Sequence, residues 1–399
     1  MSQIETAENK RTPGAEEIPR QSKKVLKGNS AAAIAAKLSN VSLVTAYPIT
    51  PQTTIIEEIA SMIARKEFDA VSVNMDSEHS VFAALIGASL VGERVFTATS
   101  GQGLLYAHEV LHAIAHMRLP VVACNVGRPS FPWNIWSDQT DSISQRDTGW
   151  VQYYCESSQE ILDTIIQSYK LAEKLKLPVM VVLDAFYMSH TSENVYIPDQ
   201  KLVDSFCPPR EKTEDQIDLD HPKAFGGLVP PDMYDTYNRI YWEDINRVED
   251  ETLNIGSEFE EIFGRGYGAV EAVNIHDQTE KILVTMASIT TTARQVIAEN
   301  PEVGLLKIRL FKPFPKKSVL NVLKKTTGDC VIINIDRNFL GDNEGALMQE
   351  MKRALCGETK TIFGIYAGLG GRDVSAETIN KIISIDFNSP QTEEVIWIK

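Results

Sequence analysis

Short apolar runs alternate with helical stretches along most of this chain, and that alternation narrows the fold more than any other feature of the sequence. The strand-like runs are 41–46, 70–75, 95–99, 121–126 and 179–185. Helical stretches at 30–38, about 51–65, 79–91, 103–117 and 158–175 lie between them. Strands that alternate with helices form βαβ units, and these pack into a largely parallel, doubly wound sheet. From 281 the pattern resumes after a break. Strand-like runs at 282–287, 303–311, 331–335 and 361–367 alternate with helical stretches at 291–299, 316–326 and 344–355. The expectation is an α/β domain over 28–205 and a second, smaller one over 281–399, with no internal repeat.

The flanking segments differ in character. Residues 1–27 are polar, with Pro13, Gly14 and Pro19, and read as a tail or as an arm that orders only against a partner. Residues 206–280 are a connecting segment with an exposed helix expected at about 234–261. Between 206 and 255 there are 12 acidic residues against 5 basic ones. The whole chain carries a net charge of −15 and no basic stripe, which argues against nucleic acid or an anionic membrane as partner. No apolar run reaches the length of a membrane span, and no apolar stretch near the N-terminus resembles a secretory signal. A cytoplasmic location is expected. The five cysteines (Cys124, Cys155, Cys207, Cys330, Cys356) are scattered and form no CxxC pair. This argues against a disulfide framework, and against a zinc or iron–sulfur site held by this chain alone.

In open α/β sheets ligands bind beyond the carboxyl ends of the strands, and four segments place unusual residues there. YPITPQT (47–53) has Thr50 as a candidate N-cap and Pro51 as a first helical residue, so free N–H groups would face an anion. DSEHS (76–80) puts Glu78 in the first turn of a helix. TATSGQG (97–103) has Gly101 and Gly103 for a tight strand-to-helix turn, with Gln102 between them. Arg128 follows a strand and has the planar fork suited to a carboxylate. After it comes a long loop rich in aromatics, including Phe131, Trp133 and Trp136. Each segment alone also has a plain structural reading: a capped helix, a carboxylate on a helix dipole, a glycine turn and a surface ion pair. HExxH, GxSxG and Walker A sequences do not occur. No glycine-aspartate-glycine stretch is followed by a suitably spaced asparagine; Gly341-Asp342-Asn343 and Gly328-Asp329-Cys330 come nearest.

Taken together, AYPITPQT, SEHS, ATSGQGL, NIWSDQTDSISQRDTGW, LPVMVVLDAFYMSHT, LLKIRLFKPFP and GLGGRDV resemble the α subunit of the pyruvate:ferredoxin oxidoreductase family. The resemblance runs from about Gly28 to the C-terminus. It implies a transketolase-like, thiamine-diphosphate-binding fold with a pyrimidine-type first domain and a transketolase C-terminal-like second domain. It implies that Glu78 hydrogen-bonds the aminopyrimidine ring and so promotes loss of the thiamine C2 proton. Thr50 and Arg128 match the residues that hold the substrate carboxylate, while Ile49, Gly101 and Gln102 lie against the cofactor.

The same resemblance implies a multi-subunit enzyme that decarboxylates a 2-oxoacid oxidatively to an acyl-CoA and passes electrons to iron–sulfur centres. A β subunit would carry the diphosphate and Mg motif missing here. Coenzyme A and the iron–sulfur clusters would belong mainly to γ and δ-type subunits, with room for a flavin-containing electron-transfer subunit. No metal ligand is expected in this chain. The departure from the family lies at Pro129-Ser130-Phe131-Pro132-Trp133, where pyruvate enzymes usually carry small aliphatic residues. Phe131 and Trp133 suggest an aromatic substrate, phenylglyoxylate giving benzoyl-CoA. The alternatives are pyruvate, oxalate, indolepyruvate or a branched-chain 2-oxoacid, or a non-catalytic assembly subunit.

Overall fold

Two twisted sheets, each flanked by helices, organise the computed structural model, which describes residues 21–399 except 212, 214, 215 and 327. The first sheet has seven strands in the spatial order Leu310–Lys312, Val151–Tyr154, Val179–Asp184, Val122–Gly127, Val95–Thr99, Leu43–Ala46 and Val71–Asn74. All pairings are parallel except that of Leu310–Lys312, which runs antiparallel to Val151–Tyr154. Strands Val95–Thr99, Val122–Gly127 and Val179–Asp184 are buried along their whole length, as helices on both faces of a parallel sheet require. The second sheet has six strands in the order Val395–Trp397, Thr361–Tyr366, Val331–Asp336, Lys281–Thr285, Val303–Ile308 and Val270–Val273, the last antiparallel.

The doubly wound architecture expected from the alternation is therefore the one observed, with four corrections. First, the polar arm does not run to residue 27 as a tail. Gln21–Lys27 is a strand paired antiparallel with Ser192–Pro198 of this same chain; residues 1–20 lie outside the described residues. Second, the single exposed helix expected at about 234–261 is two helices. Pro231–Ile245 has no fully buried residue. Val248–Phe263 buries Val248, Ile255, Phe259 and Phe263, and Phe259 and Phe263 stack near Phe206 with ring centroids 5.2 and 5.8 Å from it. That helix belongs to the core of the first domain, so the connecting segment is shorter than expected. Third, the strand-like run 303–311 is shared. Val303–Ile308 lies in the second sheet, and Leu310–Lys312 crosses to the first. Fourth, the stretch 103–117 is two helices, Gly101–Tyr106 and His108–His116.

Buried ion pairs tie the two sheets together. Lys307 and Arg309, both almost fully buried, reach Glu160 of helix Ser158–Leu175 at 2.8 and 3.2 Å. Arg337 meets Asp184 at 3.0 Å. Burial alone would raise the Glu160 carboxyl, but Lys307 and Arg309 outweigh it and hold the group below its usual range. Such a pair is costly to desolvate, and breaking it strands a buried charge. No helix among the described residues is long and apolar enough to cross a membrane.

Candidate active site

The strand order reverses between Leu43–Ala46 and Val95–Thr99, which places a crevice at their carboxyl ends. The four segments singled out by the sequence follow four neighbouring strands of this sheet, so their functional residues converge there. Helix Glu78–Leu90 starts from Ser77, an extended N-cap whose hydroxyl accepts the Ser80 N–H at 3.2 Å. The cap fixes Glu78 in the first turn, 8% exposed. Among the described residues its carboxylate takes no hydrogen bond, which leaves it open to a donor from outside the chain.

Glycines make the space in which the charged groups meet. A Cβ on Gly103 would lie 2.5 Å from Oε1 of Glu78. A Cβ on Gly101, whose φ is +52°, would lie 2.1 Å from Nε of Arg128. The turn expected at TATSGQG is thus present. Its glycines back Glu78 and Arg128 directly, which the sequence did not indicate.

Arg128 is 6% exposed. Its Nη1 donates to the Thr50 carbonyl at 2.5 Å, and its Nη2 donates to Oε1 of Gln102 at 2.6 Å. Gln102 in turn donates to the Ser130 carbonyl at 2.5 Å. Two of five guanidinium N–H groups are used in this way, and each Nη keeps one to offer. Nε is buried without a partner. Burial pulls the guanidinium down from its usual range, and the nearby Asp141 and Glu78 carboxylates oppose that shift.

Two expectations about side chains change. Thr50 is not an N-cap: the helix begins at Thr53 after Gln52, and the Thr50–Pro51 bond is cis. The reason is local bonding that ends the turn later. Gln52 N–H donates to the Ile49 carbonyl, the Gln52 amide to the Tyr47 carbonyl, and Asn29 to the Pro51 carbonyl at 2.8 Å. Thr50 therefore lends the site its carbonyl, while its side chain is exposed. Ile49, partly exposed, lies in the same turn. Phe131 and Trp133 are 73% and 59% exposed. They lie on the surface, not in a closed pocket of this chain.

The loop after Arg128 is anchored at its far side. Asn134 donates to the Gly370 carbonyl at 3.0 Å, Asp138 accepts the Gly370 N–H at 2.8 Å, and Trp136 packs on Phe186. A Cβ on Gly371 would lie 2.1 Å from that of Trp136. The loop and the GLGGRDV segment, over two hundred residues apart in sequence, are packed together.

Sequence reasoning missed Asp141. It is fully buried and accepts N–H donors from Gly101 (2.8 Å), Arg128 (3.1 Å) and Ser142 (2.7 Å), and the Asn125 amide (3.1 Å). Burial raises its carboxyl to about 6, against the lowering effect of these bonds. The only signal was an acidic residue in a run of small polar residues, which surface loops share.

Residues 34–256 match the family described as pyruvate flavodoxin/ferredoxin oxidoreductase, thiamine-diphosphate-binding. Residues 279–379 match pyruvate:ferredoxin oxidoreductase core domain II. The chain is 42% identical over 367 residues to the ketoisovalerate oxidoreductase subunit VorA of Pyrococcus horikoshii, covering 90% of this chain and 92% of the relative. It is 42% identical over 385 residues to the pyruvate synthase subunit PorA of Methanocaldococcus jannaschii, covering 94% and 97%. Its fold is similar to that of the 2-oxoglutarate:ferredoxin oxidoreductase from Magnetococcus marinus. That similarity has a TM-score of 0.71 at 20% identity and covers 95% of this chain and 68% of the other. The doubly wound, thiamine-diphosphate-binding α/β fold expected from the sequence is thus the fold present. Matched over nearly its whole length, the chain belongs to the pyruvate:ferredoxin oxidoreductase family, as an α-type subunit of a 2-oxoacid:ferredoxin oxidoreductase.

Proposed function

We propose that this chain contributes the substrate-carboxylate anchor and the cofactor-activating acid of a thiamine-diphosphate site completed by a partner subunit. The observation that carries the reading is the convergence of Glu78 and Arg128 on the Gly101–Gly103 turn. Arg128, oriented by the Thr50 carbonyl and by Gln102, offers its remaining N–H groups to a carboxylate. Glu78, open on its outer side, holds or gives up a proton toward a ring nitrogen. Ile49, Gly101 and Gln102 form the wall on which the ring would rest. The Glu78 carboxylate, without a hydrogen-bond partner among the described residues, and the N–H groups that Arg128 keeps to offer fit such a group. Thiamine diphosphate, when bound, supplies the nucleophilic carbon that attacks the 2-keto group. A β-type subunit would hold the diphosphate and Mg. Coenzyme A, iron–sulfur clusters and a flavin, where used, would sit on further subunits.

For the rest of the substrate the reading is an aryl 2-oxoacid such as phenylglyoxylate, oxidised to benzoyl-CoA. It rests on Phe131 and Trp133, whose exposed rings follow the anchor closely; an aromatic ring packed on them gains about 0.5–1.5 kcal/mol beyond area burial. A branched-chain substrate is the second reading, favoured by the similarity to ketoisovalerate oxidoreductase subunits. The assembled complex, assayed with coenzyme A and a viologen dye, separates the two. Phenylglyoxylate should exceed 2-ketoisovalerate and pyruvate in kcat/KM by at least roughly a hundredfold. Preference for either aliphatic acid overturns the aryl reading. Arg128→Lys should lower kcat/KM by roughly ten- to a hundredfold for the preferred acid, and an unchanged value would refute carboxylate binding.

A further inference from the structure

Asp141 lies outside the substrate-facing groups, yet its carboxylate gathers the segments that carry them. Oδ2 accepts three donors at once: the Gly101 N–H, the Arg128 N–H and the Asn125 amide. Oδ1 accepts the Ser142 N–H. Gly101 opens the helix after Val95–Thr99, Arg128 follows strand Val122–Gly127, and Asn125 lies within that strand. One oxygen therefore fixes two strand-to-turn junctions relative to each other. The Arg128 side chain then lies against Gly101, so close that a Cβ there would meet its Nε, Cγ and Cζ. Movement between the two junctions would translate directly into movement of the guanidinium.

A carboxylate is an expensive way to pin a buried loop. Desolvation opposes its charge, and burial raises its carboxyl to about 6. A neutral asparagine or serine could satisfy several of these donors. A charge here does something they cannot: it faces the buried Arg128 guanidinium and accepts three donors on a single oxygen.

We propose that Asp141 is a positioning residue that sets the aim of the Arg128 guanidinium by locking the Gly101 and Arg128 backbone amides to one carboxylate oxygen. The inference rests on the reading of Arg128 as the carboxylate anchor. It assigns Asp141 to substrate binding and leaves activation of the cofactor to Glu78, which is held by a different cap and a different glycine.

A double-mutant cycle on the assembled complex tests it, with Asp141→Asn, Arg128→Lys and the pair, using the 2-oxoacid turned over best. Asp141→Asn should raise KM by about tenfold while kcat stays within about twofold. Proton–deuterium exchange at the thiamine C2 position should be unchanged. The double variant should be no worse than Arg128→Lys by more than about twofold, because both act through one guanidinium. Multiplying KM effects would overturn the proposal, as would a C2 exchange rate that falls in step with kcat/KM. If Arg128→Lys alone leaves KM unaltered, the carboxylate reading fails instead, and the two failures are distinguishable. Should Asp141→Asn not assemble, Asp141→Glu keeps the charge, moves it by one methylene and enters the same cycle with the same expected outcome.

Discussion

Gly103→Ala separates the chemistry of this site from its stability. Gly103 lies in helix Gly101–Tyr106 and does not have a positive φ, so the backbone accepts alanine. In a helix interior that exchange is favourable by up to about 1 kcal/mol. The added methyl, however, would lie 2.5, 2.6 and 2.7 Å from Oε1, Cγ and Cδ of Glu78. Ordinary contact begins at roughly 3.5 Å, so the carboxylate must retreat by about 1 Å. The carboxylate is the movable end of a side chain, so the overpacking cost falls at the low end of about 1–3 kcal/mol and is offset in part by the helix term. Stability should therefore change by about 1 kcal/mol or less in either direction. Activity should not be spared: a misplacement of that size can cost about a hundredfold in rate. The assay is proton–deuterium exchange at the thiamine C2 position beside steady-state turnover in the assembled complex, with thermal unfolding as control. A variant with full exchange and full turnover would refute the assigned position of Glu78. A variant that is inactive because it fails to assemble would refute the stability estimate.

Three further perturbations probe separate parts of the argument. Glu78→Gln keeps size and hydrogen-bonding capacity but cannot share a proton, so C2 exchange and turnover should collapse while subunit assembly, followed by gel filtration, persists. Glu160→Gln leaves Lys307 and Arg309 buried beside a neutral amide; it should destabilise the chain by about 3–5 kcal/mol in a denaturant titration, and a loss below about 1 kcal/mol would mean the pair is dispensable. Asp336 is fully buried, and burial raises its carboxyl to about 6 despite the Leu347 and Met348 N–H groups and the Asn338 amide that it accepts. Its folded pKa lies above its unfolded one, so the native state binds the extra proton between about pH 4 and 6, and stability from this group is lost as pH rises through about 6. Asp336→Asn should remove that loss. The unfolding free energy of the wild type should fall relative to that of the variant between about pH 4 and 6, by on the order of 1–3 kcal/mol at most, and a constant difference across that range would refute the assignment.

The sequence alone determined the fold class and which segments follow the strands of the first sheet. Alternating apolar runs and helices leave little choice but wound parallel sheets, and parallel sheets bind ligands beyond their carboxyl ends. Hence Glu78, Gly101 and Arg128 were legible as candidates from their places after strands, and Thr50 as a helix N-cap, a reading that the start of the helix at Thr53 corrects. Local chemistry also fixed the Gly101 turn, because a positive φ depends on a few neighbouring residues.

Where segments distant in sequence compete or cooperate, only the tertiary structure decided. The run 303–311 reads as one continuous strand-like stretch, so nothing local marks Arg309 as the point where the chain leaves one sheet for the other. The strand Gln21–Lys27 is polar and reads as a tail; its partner Ser192–Pro198 supplies the backbone hydrogen bonds that make it a strand. Helix Val248–Phe263 looked exposed because its charges dominate, yet one face meets Phe206. Asp141 is the sharpest case. A carboxylate in a polar loop is ordinarily solvated, and its role depends on a buried position between Gly101 and Arg128. Hydrogen bonds between groups 13 and 40 residues apart leave no periodic trace in a sequence, since they are set by how the strands are ordered in the sheet and not by the spacing of residues along the chain.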